Sequence, residues 1–320
     1  MISITRIFLK MVVFIYCLIK FRSVKMAYNL SYFNVAINKI PSIERDGDFI
    51  VFKKTANKIF IHQLPLFQFS INHAIELLQN NKFTVVSISH SGFKLSVDGL
   101  IFNVHSLSNM AVLYEVFIEQ IYSVSLLPKD LVVMDVGMNV GVAAQYFANM
   151  NQVVAVYGYE PFVETYQEAL ENTRLNPTIA KKIVCNNFGI SNVTEQRELS
   201  FFESGLLSAS TLTESNNNYG KDTAKTITVQ LVAITEVFDS VISKHPSNPI
   251  LLKIDCEGEE YAIFEMLSKT NYLQQVSCAL IEWHEKGAAS IIKVLKENNF
   301  QMLLLPHATE NCGMIYAFKN

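Results

Sequence analysis

The segment LVVMDVGMNVGVAAQYFANM, residues 131–150, constrains the fold more than any other part of the chain. Its opening residues are continuously apolar, as in a strand buried on both faces of a parallel sheet. Gly137 and Gly141 then bracket a short turn, where a missing Cβ permits a tight reversal and close approach by another group. The apolar stretch VAAQYFANM follows at helical length. Strand, glycine turn and helix in this order open a βαβ unit, whose turn lies at the ligand-binding edge of an open α/β sheet. The spacing is not that of a dinucleotide fingerprint, and the turn lacks the lysine and terminal hydroxyl of a phosphate-binding loop. A purely structural turn is the competing reading.

The alternation continues downstream. QVVAVYGYEP precedes VETYQEALENTRL, KIVCNNFG supplies a third strand, ILLKID precedes YAIFEML, and SCALIEW precedes AASIIKVLKEN. This order predicts a doubly wound α/β domain over 111–320, with QMLLL and MIYAFKN forming an antiparallel terminal pair around HATENCG. AVLYEVFIEQIYSV reads as the helix leading into that domain. Upstream, DFIVFK, KIFIH, FTVVSIS, FKLSVDG and LIFNVHS read as short strands interrupted by the helix FQFSINHAIELLQN, so residues 26–110 form a mixed α/β extension or cap. The segment 203–225, rich in Ser, Thr, Asn and Gly, reads as an acceptor loop or lid in competition with a plain surface insertion.

Half of the 320 residues are hydrophobic and 17% are charged, ample for a packed core and unlike a disordered chain. A formal net charge of -3 gives no global case for nucleic-acid binding and leaves small neutral acceptors open. The five cysteines are scattered, without zinc or disulfide spacing, and point to a reducing compartment such as the cytoplasm. Residues 1–25 carry Arg6, Lys10, Lys20, Arg22 and Lys25 around apolar residues. The uninterrupted apolar run at 11–19 is too short to span a bilayer, and no small-residue cleavage signal follows it. A helix packed on the protein is one reading; a basic amphipathic helix lying peripherally on the inner face of a membrane is the other. The oligomeric state is not legible in the sequence.

The candidate site residues sit at strand ends. Asp135 offers a carboxylate to the ammonium of a bound amino acid moiety. Glu160, at the end of the next strand, is placed to accept two hydrogen bonds from ribose hydroxyls, and Pro161 ends the strand there. Asn187, after the third strand, is a weaker adenine-pocket candidate, because a loop Asn is also a common turn residue. In KIDCEGEE, Asp255 leaves a buried strand at the ligand-binding edge. It orients or deprotonates an acceptor hydroxyl with Glu257 assisting, against turn stabilisation for both. Alternation puts Glu282 and His284 on one strand face unless a turn begins at Trp283, and His284 is a candidate base because its ordinary pKa lies near neutrality, against a structural hydrogen bond or rim position. Lys253 reads mainly as an anchor for an adjacent carboxylate, and Cys256 as core-facing. No metal is assigned, although Asp255, Glu257, Glu282 and His284 have the donor types of a divalent-ion site.

The motifs DVGMNVG, YEP, ENTRLN, LLKIDCEGEEYAIFEML and LIEWH occur in that order, and together they resemble the FkbM family of S-adenosylmethionine-dependent methyltransferases over about residues 100–310. The resemblance implies a class I methyltransferase-like Rossmann fold, which the β-rich N-terminal extension matches less distinctly, and S-adenosylmethionine as methyl donor. It further implies that Asp135, Gly137, Asn139 and Gly141 surround the methionyl part, that Glu160 takes the ribose and that Asp255 lies on the acceptor side. Glu115 would close the cofactor pocket, with a helix salt bridge as the alternative. The implied reaction is O-methylation of a sugar or hydroxylated biosynthetic product, with a small-molecule or glycan acceptor. RNA methylation and an inactive cofactor-domain scaffold are the alternatives; a continuous basic surface joined to the cleft would favour RNA.

Overall fold

The computed structural model describes residues 4–125, 127–201, 225–306 and 312–319. The chain divides into two compact units, 1–121 and 122–320.

In the first unit, α1 (Ile4–Phe21) and α2 (Val24–Tyr32) are separate helices, because Arg22 takes a left-handed φ of 48° and Ser23 caps α2 by accepting from the Met26 amide. The strands β1 (Ile43–Asp46), β2 (Phe49–Phe52) and β3 (Lys58–Phe60) form one antiparallel sheet. After helix α3 (Ile71–Leu78), strands β4 (Phe83–Ile88), β5 (Phe93–Val97) and β6 (Leu100–Val104) form another. Strict alternation of burial along β5 and β6 matches one face packed and one face wet. The β-rich extension is therefore observed, with the expected helix inside it.

The helix expected over 111–124 is shorter than its apolar pattern suggested. Helix α4 spans Leu107–Tyr114, gives way to a π turn at Glu115–Glu119 and stops at Gln120 in a left-handed conformation. Its buried Asn109, Met110 and Leu113 pack beside α3 and β6. Residues 111–121, read as the head of the catalytic domain, thus belong to the first unit.

The second unit alternates β7 (Leu131–Val136), α5 (Val142–Ala148), β8 (Val153–Tyr159), α6 (Val163–Arg174), the short α7 (Pro177–Ala180) and β9 (Ile183–Asn186). A small sheet follows, built from β10 (Gly189–Ser191), β11 (Glu195–Phe201) and β12 (Lys225–Ala233) in the order β10-β12-β11. Then come α8 (Ile234–Lys244), β13 (Ile250–Ile254), α9 (Glu260–Leu267), β14 (Val276–His284), α10 (Ala289–Glu297), β15 (Gln301–Pro306) and β16 (Cys312–Phe318). The main sheet has seven strands in the order β15-β16-β14-β13-β7-β8-β9. Its strands β9, β8, β7, β13 and β14 are parallel, and β16 pairs antiparallel with both β14 and β15. This is the expected Rossmann-like architecture with its antiparallel terminal pair.

Every residue of β7 and of β13 is buried, as central strands covered on both faces must be. Between them the order reverses in chain sense, β7 being followed outward by β8 on one side and β13 on the other. Open α/β sheets bind ligands beyond the carboxyl ends of strands at such a switch point. The small sheet was missed in the sequence, although the alternating Ile227, Val229 and Leu231 in TITVQLVA carry its signal. Of the expected acceptor loop at 203–225, only Lys225 falls within the described residues.

Candidate active site

The turn after β7 is held by its neighbours rather than left open. Gly137 has φ +77°, and a Cβ there would lie 1.7 Å from the Asp255 carbonyl oxygen. The close backbone approach expected at this glycine is therefore made by the chain itself, joining the ends of β7 and β13. Gly141, with φ +80°, opens α5 against Ala169. Asn139 is left-handed at φ 53°, and its side-chain oxygen accepts from the Val140 amide at 2.7 Å.

Asp135 is engaged within the protein itself. It was expected to receive the ammonium of a bound amino acid, but it has no exposed surface and lies 3.0 Å from the Lys253 ammonium. Lys253 stands opposite Asp135 in the parallel pairing of β13 with β7, so both side chains leave the same face. The lysine also donates to the Gly137 carbonyl at 2.6 Å and lies 3.7 Å from Asp255. Burial opposes the lysine's charge, but Asp135 and Asp255 outweigh it and raise its pKa. Its expected anchoring role is what the geometry displays.

Glu160 follows β8 with 5% of its surface exposed. One carboxylate oxygen accepts from the Asn139 amide at 3.0 Å and the other from the Phe162 amide at 3.0 Å. Burial pushes its pKa up to about 7, against the pull of those two N–H donors. The carboxylate thus ties the glycine turn to its own strand end, a task the sequence did not reveal, while each oxygen keeps a lone pair. Asn187 donates to the carbonyls of Glu160 and Pro161 at 3.0 and 3.3 Å. Glu115 belongs to the first unit, exposed at the start of the π turn.

The ends of β13 and β14 bring the other candidates together. Asp255 Oδ2 accepts from the Tyr122 hydroxyl at 3.4 Å. The His284 Nε2 lies 3.9 Å from Glu257 and 3.8 Å from Glu282, as the alternation of β14 required. Asp255, Glu257 and His284 offer ligand atoms all within 4.8 Å of one another, so their spacing could hold a metal ion. Glu257 sits in a left-handed turn at φ 51°. Burial raises its pKa to about 7, aided by the charges of Asp255 and Glu260 and opposed by His284.

His284, a candidate base in the sequence, is drawn toward its protonated form by its neighbours. Burial disfavours its charge, but the bond to Glu260 and the charges of Glu257, Glu260 and Asp255 raise its pKa to about 9. Near neutrality the imidazole is therefore protonated and donates rather than accepts. Sequence reasoning missed Glu260, which is fully buried and accepts from the His284 amide at 2.8 Å and from Nδ1 at 3.2 Å. A glutamate in the first turn of the apolar helix EYAIFEML was its only signal. Glu259 is taken up by Arg197 on β11 and by the Ser191 hydroxyl. Cys256 is partly buried against the core and donates to Glu260 at 3.7 Å. A separate cavity of about 740 Å³ opens at the amino ends of the strands, lined by Pro128, Pro249, Val276, Cys278 and Phe318 among others; no candidate residue borders it.

Residues 135–302, more than half of the chain, match the family model described as "Methyltransferase FkbM domain". No curated protein gives a significant match. Among solved structures, a methyltransferase FkbM from Methylobacillus flagellatus KT is 14% identical, with a TM-score of 0.43 over 64% of this chain and 48% of that one. The chain thus spans about half the length of that structure. M. capricolum TrmK in complex with S-adenosyl-homocysteine is 12% identical, with a TM-score of 0.35 over 63% of this chain and 67% of that one. The magnesium protoporphyrin IX methyltransferase ChlM from Synechocystis PCC 6803 is 12% identical, with a TM-score of 0.34 over 66% and 77%.

Proposed function

The chain belongs to the methyltransferase FkbM domain family, and on that premise we propose that it methylates a hydroxyl of a sugar or other hydroxylated biosynthetic product with S-adenosylmethionine as donor. The observation that carries this reading is the convergence of Asp255, Glu257, Glu282 and His284 beside the glycine turn of β7. The donor supplies an electrophilic sulfonium-bound methyl carbon. Glu160 fits a ribose because its anionic oxygens retain acceptor capacity at the carboxyl edge of β8. Gly137, Asn139 and Gly141 shape the turn on the methionyl side, and Asn187 braces the strand end facing the adenine. Asp135 acts through Lys253, which links the turn carbonyl to the acceptor-side Asp255.

On the acceptor side, the Asp255 carboxylate orients the hydroxyl and takes its proton as the oxygen bonds to the methyl carbon, whose bond to the sulfonium sulfur breaks to leave a neutral thioether. Positioned proton transfer of this kind contributes about 10²–10⁴-fold. Glu257 shares that acidic edge, while the protonated His284, fixed by Glu260, balances the carboxylates and donates to the acceptor. No metal is given a step. The scattered free cysteines support a reducing, cytoplasmic setting.

The test is a mass-spectrometric screen with isotopically labelled methyl donor against pooled glycans, hydroxylated metabolites and RNA. Label on a hydroxylated small molecule or glycan is expected. Label confined to RNA would replace the acceptor class, and donor binding without transfer to any pool would favour a scaffold.

A further inference from the structure

Helix α1 presents to solvent a face that water alone would not favour. Val13, Cys17 and Phe21 are buried, and Lys10 and Lys20 reach back to the carbonyls of Tyr32 and Ile40. Arg45 donates to the carbonyls of Phe21 and Arg22, fixing the end of the helix to the first unit. At 3.6 residues per turn, Phe8, Met11, Val12, Ile15 and Ile19 fall together on the opposite side. They are exposed, Phe8 by 61% and Ile19 by 72%. No charged residue interrupts that arc. Exposed apolar surface of this extent marks a partner.

Charge identifies the partner. The chain carries Arg6, Lys10, Lys20, Arg22, Lys25 and Lys39 before its first acidic residue, Glu44. Arg22 and Lys25 are exposed at the end of the helix. Two copies meeting through this face would bring like charges together, whereas an anionic surface complements them. Tyr28 and Tyr32 are exposed and stacked, 5.5 Å between centroids, and such rings favour the headgroup level of a bilayer. No helix among the described residues is long and apolar enough to cross a membrane. We propose that α1 lies in the plane of an anionic phospholipid bilayer, its apolar arc in the acyl boundary and the exposed Arg22 and Lys25 among the phosphates.

The experiment is co-sedimentation of the full chain with vesicles of phosphatidylcholine alone and of phosphatidylcholine with about 30% phosphatidylglycerol. The expected partition coefficient is higher on the anionic vesicles by about tenfold or more. The double variant Ile15→Glu/Ile19→Glu changes only exposed positions, so its unfolding midpoint should stay unchanged while vesicle binding falls to background. Should that variant misfold, Arg22→Glu/Lys25→Glu is expected to remove most of the preference for anionic vesicles. Absence of vesicle binding, equal binding of wild type and both variants, or equal binding to the two vesicle types would overturn the proposal. A dimer dispersed by Ile15→Glu/Ile19→Glu without vesicle binding would assign the face to a second copy instead.

Discussion

At the ends of β7 and β8 the carboxylates of Asp135 and Glu160 are buried and already held by an ammonium or by backbone amides. At the ends of β13 and β14, Asp255, Glu257, Glu282 and His284 converge with part of their surface in solvent. The first edge is built before any ligand arrives, since a buried charge is tolerated only when paired or hydrogen-bonded. The second raises the pKa of Glu257, chiefly through burial, while its carboxylates raise that of His284 against burial. Perturbed groups gathered at a ligand-binding edge are what proton-transfer chemistry uses. The difference teaches that substitutions at the first edge should act on stability and donor affinity, and those at the second on rate.

The largest separation is expected at Asp255. Asp255→Asn should slow single-turnover methyl transfer by about 10²–10⁴-fold while leaving donor affinity and the unfolding midpoint nearly unchanged. A wild-type single-turnover rate would remove the chemical distinction between the two edges. Next comes Gly137→Ala, where a Cβ would collide with the Asp255 carbonyl at a positive φ. Strain and overpacking predict destabilisation by about 3 kcal/mol, measured by urea unfolding; a loss below about 1 kcal/mol would show that the two strand ends separate easily.

The third effect is the pH dependence of Glu160. Its folded pKa of about 7 lies above the ordinary carboxylate value. The folded state therefore holds this proton more tightly than the unfolded chain. The associated stability is present below the unfolded pKa and is lost as pH rises toward and through 7. If the ionised carboxylate takes the ribose, donor affinity moves oppositely, weakening about tenfold between pH 8 and pH 6. Calorimetry on wild type and Glu160→Gln checks both. The variant should lose the pH slope and bind donor more weakly, and it should also be less stable, because one backbone amide loses its acceptor. An identical pH slope in the variant would dissociate Glu160 from the effect.

The smallest effect sharpens the description of the acidic edge. Glu257→Gln should lower the pKa of His284 by under about one unit, since it removes one of several negative charges around the ring. An NMR titration of the imidazole reads this directly. No movement would mean that Glu260 and Asp255 set the protonation of His284 without Glu257.

Much of the fold could be read along the chain. The apolar runs of β7, β13 and β14, the helices between them and the terminal antiparallel pair each announce themselves locally, through continuous or periodic apolar residues. The sheet of β10, β11 and β12 did not, because its strands pair across a long polar segment and only TITVQLVA alternates clearly. Helix α4 ended early for a similar reason: EVFIEQ keeps an apolar pattern, whereas the backbone turns through a π turn into a left-handed Gln120.

By itself the sequence determined the strand order of chemistry: a glycine turn after the first core strand, an acid after the second, KIDCEGEE after the fourth and Glu282 with His284 after the next. Alternation along a single strand was enough to put Glu282 and His284 on one side, because that relation is local. The tertiary structure decided which charges meet. Lys253 reaches Asp135 because β13 lies beside β7, and Glu260 reaches His284 because α9 packs at the end of β14. Those pairings give Asp135 a buried ammonium partner and raise the pKa of His284. Protonation depends on burial and on distances of a few ångströms, and folding sets both between residues that the sequence keeps far apart.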